Sequence, residues 1–491
     1  MSAPHAAIDS PTRTENSRPS SRGGCGRQPP RGGPCYIGHV LDASESRWRP
    51  LITDPDRRAE ISTVITEVVA EIEAWRRGHE ASCEETADYA TLRIYAATDD
   101  IVPDPGDDAG RAIEAAIAAT GELSRPALYG GMARVAFAVA HLSSGEDTDV
   151  ACDAIERSLL GFLELPTERY DLIGGLVGIA VPALQRIADG NPSASSEPIV
   201  RAVLDHLERL SRPMATGIAW HTPPSLLPEP QRRVAPDGYI NLGLAHGVPG
   251  VVAILARCIA AGIDVGRARG LLDAAVEFLR SVAGPRPGTR YPAWLPTAPA
   301  EPRSRVAWCY GDLGIAVALM SAAGVSGRVD WRNDALDLAR GMAARSYESS
   351  QVSDAALCHG AAGVAHLFNR LAQATDDAEL AAAADTWFGH TLAMRRDDAI
   401  AGFPRAALGP DSATIFEPAA DLLSGASGVA LALHAAISQV EPSWDRLLLA
   451  DLSPIGVRGV TRLGACAVAP EDASGPGRQP IGLPCRSRWR R

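Results

Sequence analysis

A short glycine motif recurs along this chain and constrains its fold more than any other feature of the sequence. The pattern Gly-x-x-Gly followed by Ile or Val opens an apolar run at Gly175, Gly247, Gly311, Gly360 and Gly425. A sixth copy begins at Gly131, with Arg134 in place of the second glycine. A unit that returns every few tens of residues predicts an array of similar elements that pack on one another.

The segments that follow and separate the glycine motifs differ in polarity. The runs after the glycines, such as GVVAILARCIAA and GVALALHAAI, are almost wholly apolar, which is typical of a helix buried on all sides. Each interval has room for one further helix with a charged face, near residues 147–164, 198–211, 267–282, 332–347 and 377–394. This alternation predicts an inner ring of helices wrapped by an outer ring. We therefore expect an all-α chain whose core is an α/α toroid.

The flanks of this array have other compositions. Apolar residues on one face predict an amphipathic helix from Ala59 to Arg77, with Asp54 or Asp56 as its cap. Residues 1–50 and 454–491 are rich in Ser, Pro, Gly and Arg, and we interpret them as disordered tails around a toroid at 55–453. The Pro-rich stretch 211–239 is interpreted as a long insertion that serves as a lid.

Charge and composition exclude several classes of function. A net charge of −12 argues against general nucleic-acid binding. The chain has no run of eighteen apolar residues and its start lacks the apolar core of a signal peptide, so we expect a cytoplasmic protein without a membrane span. All 47 basic residues are arginine. Schiff-base chemistry and a lysine-bearing phosphate loop are therefore excluded.

The residues just before each glycine motif are the candidates for chemistry, because the inner helices of such a ring begin at one end of the barrel. Cys309, Cys358 and His359 occupy corresponding positions there. Three soft or borderline ligands suit a zinc ion whose fourth position is open. The nine cysteines include no Cys-x-x-Cys pair, so any metal site must collect ligands from distant segments. Both cysteines can equally be ordinary buried residues.

Four further residues lie near these helix starts. His246 is a candidate acid or base, although a structural histidine has the same pattern. The other three residues flank the motifs and are Asp171, Arg305 and Tyr310. Each of them, taken alone, is also typical of a capping or surface position. The remaining histidines of the region, His366, His434 and His221, are interpreted as two core residues and one loop residue.

Several blocks of the chain resemble a known family. GLAHGVPGVV, AWCYGDLGIA and LCHGAAGVA are similar, in order and separation, to the signature blocks of the lanthionine synthetase C-like family. DLLSGASGVALAL followed by SWDRLLL resembles its last block, and the similarity extends over about residues 55–453. The resemblance implies an α/α toroid with one Zn²⁺ held by Cys309, Cys358 and His359, and His246 as acid or base. It also implies catalytic roles for Asp171, Arg305 and Tyr310.

The resemblance further implies an activity. Members of this family join cysteine thiols to dehydroalanine or dehydrobutyrine in a precursor peptide, which forms thioether rings. We expect a stand-alone cyclase whose dehydrated peptide comes from a separate dehydratase, because residues 1–54 leave no room for a further domain. Arg134 departs from the family pattern and leaves the packing of the first inner helix open.

Two other functions compete with the cyclase. A zinc-containing regulatory protein of the same fold that binds glutathione or a peptide would keep the same ligands. A toroidal glycosidase would need two carboxylates at the barrel mouth. The sequence places only Asp171 there among acidic residues, which disfavours the glycosidase.

Overall fold

The computed structural model describes residues 47–103, 107–121, 123–285, 289–296, 304–397, 399–409 and 413–452. These residues all belong to one unit of the chain. Both predicted tails lie outside the described ranges, apart from residues 47–50.

Helices dominate the described residues. They are α1 (Pro55–Gly78), α2 (Cys83–Thr98), α3 (Asp107–Thr120), α4 (Met132–Leu142), α5 (Glu146–Leu163), α6 (Leu176–Ala188), α7 (Ser196–Leu210), α8 (Glu229–Val234), α9 (Val248–Ala260), α10 (Val265–Val282), α11 (Asp312–Ser326), α12 (Val329–Ala343), α13 (Tyr347–Ser350), α14 (Ala361–Thr375), α15 (Ala378–Ala393) and α16 (Ala426–Ile437).

The strands are short and form three antiparallel pairs. They are β1 (Ser211–Pro213) with β2 (Ile218–Trp220), β3 (Ile240–Asn241) with β4 (Trp294–Leu295), and β5 (Arg405–Leu408) with β6 (Thr414–Glu417). Short 3₁₀ turns occupy Pro224–Leu226, Ile400–Gly402 and Ser443–Leu448.

Two concentric rings organise the long helices. In the inner ring α2, α4, α6, α9, α11, α14 and α16 follow one another, and α16 returns to contact α2. The outer helices α3, α5, α7, α10, α12 and α15 each pack on the inner helix that precedes them, whereas α1 covers α16. The chain is therefore the predicted α/α toroid, and its first long helix completes the outer ring beside its last.

The burial of each ring follows its sequence pattern. In α11 every residue from Asp312 to Met320 is buried, as a helix enclosed on all sides requires. In α7 the buried residues form one stripe that includes Ile199, Val203 and Leu207. Asp54 caps α1 by accepting a hydrogen bond from the Arg57 amide at 2.9 Å, which confirms one of the two predicted caps.

The glycine pattern did not predict one inner helix. Helix α2 begins with a capping box in which Ser82 and Glu85 exchange side-chain and backbone hydrogen bonds. It follows no Gly-x-x-Gly motif, so the repeat does not indicate it.

Backbone hydrogen bonds join the loops in front of the inner helices. Amides donate to carbonyls of the next loop in five steps: Tyr129 to Ile173 at 3.0 Å, Leu172 to Ala245 at 3.1 Å, Ala245 to Cys309 at 3.4 Å, Cys309 to Cys358 at 3.2 Å, and Cys358 to Leu423 at 2.8 Å. These loops form the mouth of the barrel. The inner helices that follow them therefore all begin at the same end.

The second glycine of each complete motif allows its loop to fold tightly onto its helix. A Cβ atom at Gly428 would stand 1.9 Å from the Leu422 carbonyl oxygen, and one at Gly314 would stand 2.4 Å from that of Trp308. The same carbonyl, six residues earlier, faces the second glycine of the other complete copies. The repeat thus records a close backbone approach that any side chain would prevent.

Arg134 stands at the position of the second glycine in the sixth copy because its side chain forms an ion pair. It is fully buried and forms an ion pair with Asp88 of α2. Asp88 also accepts a hydrogen bond from the Leu422 amide at 2.7 Å, and Glu84 accepts one from the Gly130 amide at 2.7 Å. No Gly-x-x-Gly loop precedes α2. Its carboxylates instead accept hydrogen bonds from amides of the neighbouring mouth loops and so complete the ring at the mouth.

The 3₁₀ turn at Ser443–Leu448 fills the centre of the inner ring. Its Leu448 carbonyl accepts a hydrogen bond from the Trp308 indole at 2.8 Å, and its Leu447 carbonyl accepts one from the Tyr129 hydroxyl at 3.0 Å. Both donors belong to mouth loops, so this turn lies directly behind them. Among the described residues, no helix has both the length and the apolar composition that a bilayer span needs.

We expect Gly428→Ala to lower the free energy of unfolding by at least about 2 kcal/mol, because overpacking against rigid backbone is costly. Gly270→Ala is the matched control. Gly270 lies within α10, and a Cβ atom added there would have no neighbouring atom within 4 Å, so alanine should be neutral or stabilise by up to about 1 kcal/mol. Urea unfolding of both variants measures the difference, and equal stabilities would contradict the role given to the motif.

Arg134→Gly would restore the repeat pattern, yet we expect it to destabilise the protein. Asp88 would remain buried without its cation, a loss that typically costs about 3–5 kcal/mol. Thermal and urea unfolding of this variant test the expectation. A variant as stable as the wild type would show that the ion pair does not hold the mouth together.

Candidate metal centre

Three candidate ligands converge at the barrel mouth. The sulfur atoms of Cys309 and Cys358 and a ring nitrogen of His359 all lie within 4.8 Å of one another. Cys309 precedes α11 and the other two precede α14, which is the next helix of the inner ring. The hydrogen bond from the Cys309 amide to the Cys358 carbonyl keeps the two loops side by side.

This cluster has the composition and size that a metal ion needs. Zinc bonds of 2.0–2.3 Å in tetrahedral geometry place neighbouring donor atoms about 3.5–3.8 Å apart. The donor atoms of the cluster lie no more than 4.8 Å apart, so their separations exceed this spacing by at most about 1.3 Å. Both cysteines are buried and His359 is half-buried. The three residues therefore fit a metal ion and leave its fourth position to another ligand.

Charge at the cluster favours a thiolate. The hydrogen bond from Cys358 lowers the pKa of Cys309 well below its usual value against the effect of burial, and His359 and the charge of Arg305 add to this shift. The same hydrogen bond, together with burial, raises the pKa of Cys358. A thiolate at this position provides negative charge that a bound cation would neutralise.

His246 and Asp171 form a second pair at the mouth. The Nδ1 atom of His246 lies 3.5 Å from Oδ2 of Asp171, and the Gly174 amide donates to Oδ1 of Asp171 at 2.7 Å. Burial opposes ionisation of Asp171, but the hydrogen bond and charge of His246 outweigh it and hold its pKa below the usual value. The pair therefore places a carboxylate behind an imidazole, an arrangement that orients a proton-transfer group.

Tyr310 connects this pair to the cysteine cluster. Its ring centre lies 6.0 Å from that of His246, and it directly follows Cys309 in the chain. The Ala245 amide, next to His246, donates to the Cys309 carbonyl. Burial raises the pKa of Tyr310, so its hydroxyl stays protonated near neutral pH. Each of the seven residues singled out from the sequence thus lies at the mouth.

A cavity of about 900 Å³ opens beside these groups. Asp171, His246 and Tyr310 line it, whereas Arg305 and the three candidate ligands are not among its lining residues. The insertion at 211–239 contributes Thr222, Ser225, Leu226, Leu227, Pro228, Gln231 and Tyr239 to the lining. The segment interpreted as a lid therefore forms one wall of the cavity.

One sequence-based expectation about the mouth was wrong. Besides Asp171, the cavity is lined by the carboxylates of Glu84, Glu85, Glu168 and Asp421. Asp421 was overlooked although it precedes its glycine by four residues, as Asp171 does, and it accepts the Ser424 amide at 2.7 Å. Glu84 belongs to α2, which no motif marked. Glu84 and Asp421 accept backbone amides of the mouth loops.

The other histidines lie outside the site. His366 is buried with Nε2 2.7 Å from Asp445, and His434 is buried with Nε2 2.8 Å from Asp99, as expected of core residues. The His221 ring is 3.0 Å from the Asp237 carbonyl within the insertion. A residue that the sequence did not single out is Asn241, which donates to the Tyr310 hydroxyl at 3.0 Å.

Fold and site together define a helical toroid with a cysteine–histidine cluster at its mouth. The lanthionine synthetase C-like protein family matches residues 92–449, so the chain belongs to that family. A solved structure of nisin cyclase is similar in fold, with a TM-score of 0.63 and 16% sequence identity over 81% of this chain and 98% of that one. A comparison with curated protein sequences found no match.

Proposed function

We propose that this chain is a zinc-dependent lanthipeptide cyclase, which adds cysteine thiols to dehydroalanine or dehydrobutyrine in a precursor peptide. The observation that carries the proposal is the convergence of Cys309, Cys358 and His359 beside the His246–Asp171 pair at a cavity. Family membership and the likeness to nisin cyclase support it. The proposed product is lanthionine or methyllanthionine.

Zinc suits the proposed ligands because thiolate and imidazole are its preferred donors. When bound, it would hold a substrate thiol at its fourth position and stabilise the thiolate near neutral pH. Arg305, whose charge acts on both cysteines, would help to keep them ionised. The positive charge of the metal would in turn neutralise the negative charge of the thiolates.

The remaining residues would handle protons and charge on the substrate. The substrate sulfur forms a bond to the β-carbon while the C=C π bond opens, and negative charge moves to the adjacent carbonyl oxygen. His246 would supply the proton that the α-carbon gains, with Asp171 holding its ring in place. Arg305 and Tyr310 would stabilise the developing enolate. The proton released by the thiol leaves to Asp171 or to water.

The substrate of this reaction must already contain dehydrated residues. We therefore propose that a separate dehydratase supplies the peptide, and that both act in the cytoplasm. The cavity, with its mixture of apolar walls, carboxylates and arginines, has the character of a site for a peptide.

We expect the purified protein to contain about one zinc ion per chain, and Cys309→Ala and Cys358→Ala to lose it, because each removes one of three protein ligands. Cys258→Ala, which removes a buried thiol from α9, is the control and should keep the metal. Elemental analysis after dialysis measures the content. A folded wild type that takes up no zinc when zinc is supplied would contradict the proposed site.

We expect His246→Asn to lower kcat by about 10²- to 10⁴-fold with zinc retained, the usual range for removing an acid–base group. The substrate is a synthetic peptide with one cysteine and one dehydroalanine. Because cyclisation leaves the mass unchanged, the assay counts thiols that remain open to alkylation, with buffer alone as the background.

His390→Asn on the outer helix α15 is the matched control for this assay and should react as the wild type does. A wild type that binds the peptide but consumes no thiol above the background would favour the alternative, a peptide-binding regulatory protein. Full activity of His246→Asn would remove the histidine from the mechanism.

A further inference from the structure

Asn241 is a buried amide side chain that follows the insertion in the chain and lines the cavity, and it has no role in the mechanism proposed above. It lies on β3 and pairs with Trp294 of β4. Its Oδ1 accepts a hydrogen bond from the Gly243 amide at 2.8 Å. Its Nδ2 donates to the Tyr310 hydroxyl at 3.0 Å. One side chain therefore holds both the loop that leads to His246 and the tyrosine beside that histidine.

The network determines which way the amide points. The Gly243 N–H is only a donor, so the Asn241 atom that faces it must be the oxygen. The nitrogen then has to face Tyr310, whose oxygen accepts. A hydroxyl that accepts from Asn241 directs its own proton elsewhere, and Tyr310 lies on the wall of the cavity.

We propose that Asn241 is a positioning residue that makes Tyr310 a hydrogen-bond donor toward the substrate in the cavity. The proton of Tyr310 would then reach the carbonyl oxygen on which negative charge develops during the addition. This inference rests on the proposed cyclase function and assigns that function a specific hydrogen-bond direction.

The same amide connects the site to the wall that the insertion forms. Tyr239 lies two residues before Asn241 in the chain, and Trp294 is the strand partner of Asn241. The Tyr239 hydroxyl donates to Gln231 of α8 at 2.8 Å, and its ring stacks on Trp294 with centroids 5.3 Å apart. Tyr239 and Gln231 both line the cavity. The position of Tyr310 is thus tied to the insertion through a short series of buried contacts.

Asn241→Asp separates the two roles of the side chain. The carboxylate has nearly the same shape and still accepts the Gly243 amide, but it replaces the donor with an acceptor. Tyr310 would then donate its proton to the carboxylate instead of the substrate. We expect kcat for the cysteine–dehydroalanine peptide to fall at least about tenfold, with KM and zinc content close to those of the wild type. Tm should fall as well, because the new carboxylate is buried.

A double-mutant cycle with Tyr310→Phe distinguishes positioning from a structural role. In the Tyr310→Phe background, Asn241→Asp should cause no further loss, because the hydroxyl that it misdirects is gone. Asn333→Asp, which adds the same charge at an exposed position of α12, should leave kcat unchanged.

Three outcomes would overturn the inference, and they are distinguishable. If Asn241→Asp is as active as the wild type, or loses the same activity with and without the Tyr310 hydroxyl, the positioning role fails and the cyclase proposal stands. If the wild type consumes no thiol of the peptide above background, both the cyclase proposal and this inference fail.

Discussion

The close approach of each mouth loop to the helix that follows it is the constraint on which the rest of the structure depends. Where a carbonyl lies as near as that of Leu422 does to Gly428, only glycine fits. In loops folded in this way, backbone amides and carbonyls face the neighbouring loops and form hydrogen bonds with them. Cys309 and Cys358 meet because they occupy the same place in two adjacent loops, 49 residues apart in the chain. The cluster is thus a product of the repeat, and its ligands need no sequence proximity.

The sequence predicted the parts of the fold that the repeat encodes. Apolar runs after glycines became inner helices, and charged intervening segments became outer ones. Helix α2 was not predicted as an inner helix because its start depends on a capping box and not on glycine. Arg134 departs from the repeat pattern because it pairs with Asp88. Asp88 lies 46 positions earlier in the chain and becomes a neighbour of Arg134 only when the ring closes. Residue type alone contains no information about such a partner.

The candidate site was likewise predicted from the sequence only in part. Cysteine and histidine at equivalent repeat positions were informative, because few other residue types hold zinc and a ring brings those positions together. The lining carboxylates and Asn241 were missed for a different reason. Asp421 and Glu84 accept backbone amides, and Asn241 acts through a hydrogen bond to a tyrosine 69 positions away. Such roles depend on the direction of a hydrogen bond, which only the folded chain establishes.

The proposed activity depends on Cys309, Cys358 and His359 holding a zinc ion with a position left for a substrate thiol. X-ray absorption at the zinc edge of the purified protein tests it most directly. We expect two sulfur ligands at about 2.3 Å and two nitrogen or oxygen ligands near 2.0–2.1 Å, and a third sulfur when a cysteine peptide is added. A zinc shell without sulfur, or one that does not change when the peptide binds, would contradict the claim.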